Sequence, residues 1–176
     1  MSIIEGLDAK KYRSARHKFN RKHILIPAII TTFVLVLLIF ILNGVNSDLR
    51  TSGYSAIIFT SFAASAFIMF MTPYARASDV KRFVLSYLLA GILGELGYLL
   101  TSIIGFYGAL GLTLLLMALL LFETDNVHPP AMGVALAFVI FRVSYPGLIV
   151  LAFGIVVLSA IRMLMERAGI NPSKSE

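Results

Sequence analysis

Long uncharged apolar runs alternate with short polar joints along this chain, and the lengths of the runs predict its elements. A helix rises about 1.5 Å per residue, so a hydrocarbon layer about 30 Å deep asks for about 20 apolar residues. Ile24 to Leu42 is a charge-free stretch of that length. Thr51 to Ala75 is the next, and predicts a helix from Tyr54 to Met71 that stops before Pro73. Phe83 to Phe122 holds a single charge, Glu95, and as a straight rod would run about 60 Å. It is expected to fold back, with the turn between Thr101 and Gly108. Val143 to Ile161 supplies a last full-length span, with Pro146 near its start, where proline is tolerated. One apolar piece is left, Ala131 to Phe141, and it would reach only about 16 Å. The polar residues Glu123 to Pro130 before it cannot extend it as helix. The expected fold class is all-α: a polytopic transmembrane helical bundle of five full spans plus a short half-helix after residues 128–130. Residues 24–165 form the transmembrane domain, between a basic amphipathic juxtamembrane segment (1–23) and a polar tail (166–176).

Composition sharpens the membrane reading. The hydrophobic fraction is 59% and the charged fraction 14%, against about 45–50% and about 25% in soluble domains. A chain of 176 residues has too much surface for its volume to hide that excess in a core. With no cysteine there is neither a disulfide framework nor a thiolate metal site.

Of the 15 Lys and Arg residues, Lys10, Lys11, Arg13, Arg16, Lys18, Arg21 and Lys22 precede the first run. Such a cluster ahead of a span is expected to lie on anionic headgroups, each residue contributing about 1 kcal/mol, rather than on nucleic acid. The first run is too long for a cleavable signal, and no small-x-small site closes it. Basic residues favour the cytoplasmic side. That places the N-terminus, the Arg76–Lys81–Arg82 joint and the Glu123 loop there, and the uncharged turn near Thr101 outside. The tail with Arg162, Arg167 and Lys174 also prefers the cytoplasm. It reaches that side only if Ala131–Phe141 completes a crossing, with the polar loop dipping inward to start it. A re-entrant hairpin with an external C-terminus is the rival.

A helix that begins inside the layer suits a solute pathway. Pro129 and Pro130 fit first helical positions, and Asn126 or His128 is a candidate cap. The N–H groups of Ala131, Met132 and Gly133 would then face the dip with the helix dipole behind them, an anion site of a kind transporters use. An ordinary cytoplasmic loop with a capping histidine explains the same residues. Glu95 in the Gly91–Gly97 stretch is costly at depth, and so is a candidate for lining the path or coupling to protons. Placement near an interface, paired with Tyr98, is its alternative. Ser65 lies in a small-residue stretch fit for packing or for lining the path. Glu123 and Asp125 with Arg76, Lys81 and Arg82 read as an ion-paired mouth rather than a metal site. No HExxH or GxSxG motif occurs, so no catalytic residue, metal or cofactor is expected, and the chain is not expected to be an enzyme.

The order of these motifs resembles the HPP integral membrane proteins. The His-Pro-Pro triplet is His128-Pro129-Pro130, followed by Ala131-Met132-Gly133-Val134-Ala135. Upstream, Phe62 to Phe70 is similar to the family's Gly-Ala-Ser-Ala segment, and the Pro73–Arg82 joint and Gly91-Ile92-Leu93-Gly94 follow in the same order. Two departures stand out. The joint lacks the proline-rich stretch of many relatives, and Ser86-Tyr87 stands where members often carry Gly-His. The resemblance implies small-anion transport, with nitrite the leading substrate. The expected function is thus a transporter or channel for a small inorganic anion, proton-coupled through His128, in a prokaryotic plasma membrane or an equivalent inner membrane. The glycine-lined helices suggest a homo-oligomer. The alternative is a non-transporting scaffold that binds anionic lipid through its basic N-terminus.

Overall fold

Gly105 is the residue on which the longest helical run turns. In the computed structural model, which describes residues 21–45, 53–72, 75–143 and 145–168, this glycine has φ 75° and ψ 167°. That region of backbone space is essentially closed to residues with a Cβ. Five α-helices and no strand occur among the described residues. They are α1 (Arg21–Val45), α2 (Gly53–Met71), α3 (Val80–Glu123), α4 (Pro130–Phe141) and α5 (Tyr145–Arg167), with a 3-10 turn at Arg76–Ser78. The N-terminal basic cluster up to residue 20, the Asp48–Arg50 loop and the tail beyond residue 168 lie outside the described residues.

The two arms of α3, residues 80–104 and 106–123, lie side by side. A Cβ added to Gly97 would overlap the side chain of Thr113, yet in a straight helix these residues would stand about 24 Å apart. They are equidistant from Gly105, as a hairpin requires. The expected fold-back within residues 101–108 is therefore present, and its hinge is the residue that adopts a positive φ at no steric cost.

Helix α4 lies in the centre. Ala131, Val134, Ala135, Ala137, Phe138 and Val139 are all buried, because α4 packs against α2 and α3. Small residues permit the close approach. A Cβ on Gly94 would come within 2.7 Å of Phe138 Cβ and 3.2 Å of the Ala135 backbone, and one on Gly97 within 2.8 Å of Val139. Helix α5 packs along the first arm of α3, with Leu148 and Leu151 over Gly91.

The ends of the elements establish direction. A cavity lined by Ala75, Ser78, Asp79, Val80, Lys81, Arg162, Met163 and Glu166 puts the last turns of α5 beside the joint before α3. Arg142, just past α4, lines a second cavity with Tyr98, Thr101 and Ser102, about one turn from the Gly105 tip. Helix α4 therefore runs from the loop end of the bundle towards the Gly105 end, and α5 returns to the loop end. The end of α5 and the loop before α4 therefore share one end of the bundle.

The surface is apolar where a soluble protein's would be polar. Tyr107, Ile103, Phe122, Phe40 and Phe33 are each more than 60% exposed, while Ser65, Ser86, Thr113 and His128 are buried. Large contiguous apolar surface of this kind marks contact with lipid or a partner. Val80–Glu123 and Gly147–Arg167 are each long and apolar enough to cross a membrane, and Ala28–Leu37, Ile58–Met71 and Pro130–Phe141 are shorter apolar helices.

Candidate functional site

His128 is completely buried at the foot of α4, and its surroundings assign its hydrogens. Nδ1 lies 2.8 Å from the Ala77 carbonyl oxygen. A carbonyl only accepts, so Nδ1–H donates. In the neutral ring Nε2 is then an acceptor, and the Ser65 hydroxyl donates to it over 2.7 Å. Ser65 has one hydrogen, so its oxygen accepts from the Tyr87 hydroxyl at 2.6 Å. The chain runs Tyr87 to Ser65 to His128 to Ala77, and these bonds use each hydroxyl and ring hydrogen once.

Apolar rings seal this chain. Tyr87 stacks on Phe62 with centroids 5.1 Å apart. Phe83 meets the imidazole edge-on at 5.5 Å. Leaving such a buried polar group unpaired costs about 1–3 kcal/mol, so the hydroxyls and the ring hold one another in place. With Nδ1–H on the Ala77 carbonyl and Nε2 taking the Ser65 hydrogen, the tautomer is that of a neutral ring.

Depth follows from position along the helices. Ser65 is six residues before the end of α2, and Tyr87 seven after the start of α3, so both lie about 10 Å inside the bundle end. The loop dips by that amount before α4 begins. The dip and the ~18 Å of α4 together cover about 28 Å, nearly a full hydrocarbon layer.

One expectation is overturned. The amides at the start of α4 are not bare donors, because Ala131 N–H bonds the His128 carbonyl at 3.0 Å and Met132 N–H bonds the Pro129 carbonyl at 3.1 Å. Pro129, in helical conformation, closes a 3-10 turn that takes up the first orphan donors. Neither Asn126 nor His128 stands at the N-cap, which Pro129 occupies without a side-chain cap bond. The imidazole points away into the Ser65–Tyr87 pair. The Asn126 carbonyl accepts from Ser86 and its N–H bonds the Leu121 carbonyl at 3.0 Å. Pro129 is exposed and Pro130 half-buried.

The ion-paired mouth is formed in part. Arg82 donates to both the carboxylate and the backbone carbonyl of Asp125, the former at 2.6 Å. Arg76 stands 3.7 Å from the same carboxylate, and Arg82 3.9 Å from Asp79. The Arg82 hydrogen bond, with the charge of Arg76 behind it, holds the Asp125 carboxyl below its ordinary pKa. Asp125 adopts φ 52°, an unusual value that this clamp supports. Lys81 and Glu123 are exposed at the same end.

Glu95 is not brought to His128. It lies eight residues beyond Tyr87 on α3, about 12 Å further along, and its Oε2 is buried without a hydrogen-bond partner. Gly133 sits against Ser61, whose hydroxyl would be 2.8 Å from an added Cβ. A seam of small and hydroxylated residues thus continues from Ser65 along α2 and α4. Tyr87 and the Ala77 carbonyl are the partners that sequence reasoning missed. The signal for Tyr87 was present as a departure, a tyrosine at the place where similar chains carry histidine.

No curated protein and no solved structure was found to match the chain. The family model for the HPP transmembrane region matches residues 16–173, a span that takes in every described helix and contains His128-Pro129-Pro130. The chain is therefore an integral membrane protein and belongs to the HPP family.

Proposed function

We propose that this protein is a transporter for a small inorganic anion, with nitrite the leading substrate, and that it has no catalytic chemistry of its own. The observation that carries the reading is the polar chain of His128, Ser65 and Tyr87, wholly buried about 10 Å inside an apolar bundle and contributed by three separate elements. Ionisable groups at such depth are costly and mark solute or proton pathways.

In this reading the bundle has five full spans, α1, α2, the two arms of α3, and α5, with α4 completing a sixth crossing from its inset start. Arg76, Lys81, Arg82, Arg162 and Arg167 gather at the loop end, and among the described residues Arg142 is the one Lys or Arg near the other. The positive-inside rule makes the loop end cytoplasmic, and the N-terminus with it. The basic mouth raises the local concentration of anions. Because the amides of α4 are taken, the solute meets the Ser65–His128 pair itself, after the Arg82–Asp125 clamp over the loop opens. Glu95 lies deeper and supports the path. The basic N-terminal segment binds anionic lipid, and copies of the chain associate.

The test is nitrite uptake into proteoliposomes, measured against protein-free liposomes because nitrous acid crosses lipid unaided. Uptake above that baseline is expected, with loss on His128→Gln in a protein that keeps its helical circular dichroism. Wild-type uptake equal to the protein-free rate would remove the transport reading.

A further inference from the structure

The fixed hydrogens at His128 select among solutes. Nδ1–H is committed to the Ala77 carbonyl, so the face of the ring turned to Ser65 is a lone pair. A lone pair repels an anion and accepts a donor. We infer, resting on the transport reading, that the substrates are weak acids of small monoanions such as nitrite, taken up as the neutral acid whose O–H replaces Ser65 on Nε2. Anions of strong acids, such as nitrate and chloride, are then not carried.

The step balances within the site. The acid's O–H bond breaks as the Nε2–H bond forms, leaving an imidazolium in contact with the anion. Nδ1–H stays on Ala77, and the displaced Ser65 hydroxyl remains held by Tyr87. On release the proton returns to the anion's oxygen and the neutral acid departs. One proton moves with each anion, so no net charge crosses.

The surrounding charges fit a neutral occupant. Helix α2 carries no charged residue, and α4 carries none before Arg142. On the joint and loop, Arg76, Asp79, Arg82 and Asp125 are engaged with one another. On the last turns of α5, Arg162 and Glu166 pair at 2.8 Å. From α3 the ring meets Phe83 and Tyr87, and Glu95 lies about two turns further. No described side chain in ring contact with His128 is a lysine or arginine that would hold a bare anion. Tyr87 is a positioning residue. It donates to the Ser65 oxygen and so keeps the Ser65 hydrogen aimed at Nε2.

Proteoliposomes loaded with a pH-reporting dye are given nitrite, formate, nitrate or chloride, with and without a potassium–valinomycin potential. The expected result is several-fold faster lumen acidification with nitrite and formate than in protein-free liposomes, unchanged by the potential, and baseline rates with nitrate and chloride. Nitrate or chloride uptake comparable to nitrite's, or nitrite uptake that follows the potential without acidification, would overturn this inference while leaving transport standing. No solute above baseline would remove both. Tyr87→Phe should retain nitrite uptake with a shifted pH profile, and an unchanged profile would take Tyr87 out of the scheme.

Discussion

Two glycines six residues apart on α3 offer a sharp test of the hairpin, because alanine at each adds the same methyl with opposite consequences. Gly105 has φ 75° and ψ 167°, and an added Cβ there meets no atom within 4 Å. Crowding contributes nothing, so the cost of Gly105→Ala is backbone strain alone, about 1–3 kcal/mol for a conformation this rare. Gly111 also has open space around its missing Cβ, but it lies in regular helix. Gly111→Ala should stabilise by about 0.5–1 kcal/mol through helix propensity. The two variants should differ by about 1.5–4 kcal/mol, roughly 10- to 700-fold in the unfolding equilibrium. The chain has no tryptophan, so far-ultraviolet circular dichroism of detergent-solubilised protein titrated with dodecyl sulfate is the suitable readout. Wild type should fall between the two midpoints. Equal shifts, or shifts in the same direction, would mean that residue 105 is not held at positive φ and that the turn lies elsewhere.

Two further predictions concern packing. Gly94→Ala places a methyl 2.7 Å from Phe138 Cβ and 3.2 Å from the Ala135 backbone, so the same titration should show a loss of about 1–3 kcal/mol. Gly133→Ala should lose less, because the Ser61 hydroxyl it meets can rotate away.

Run lengths alone determined that this chain belongs in a membrane and that the forty residues from Phe83 to Phe122 fold back, since a rod of twice the bilayer depth has nowhere to go. They also determined that the piece ending at Phe141 is too short to cross by itself. These conclusions need only a count of apolar residues, and each turned on a length. Directions of side chains and ends of helices were decided by tertiary packing. Charge bias left the short helix open between a crossing and a re-entrant turn, whereas packing sets its direction in the bundle, since α5 returns to the Ala75–Lys81 joint. A start-of-helix pattern implied bare amides, but whether an N–H is free depends on a backbone torsion at Pro129 that no residue type dictates. Ser65 and Tyr87 stand 63 and 41 positions from His128. Nothing local relates them, and their hydrogen bonds exist because α2, α3 and the inset loop converge at one depth, where a buried ring must find its partners inside the protein.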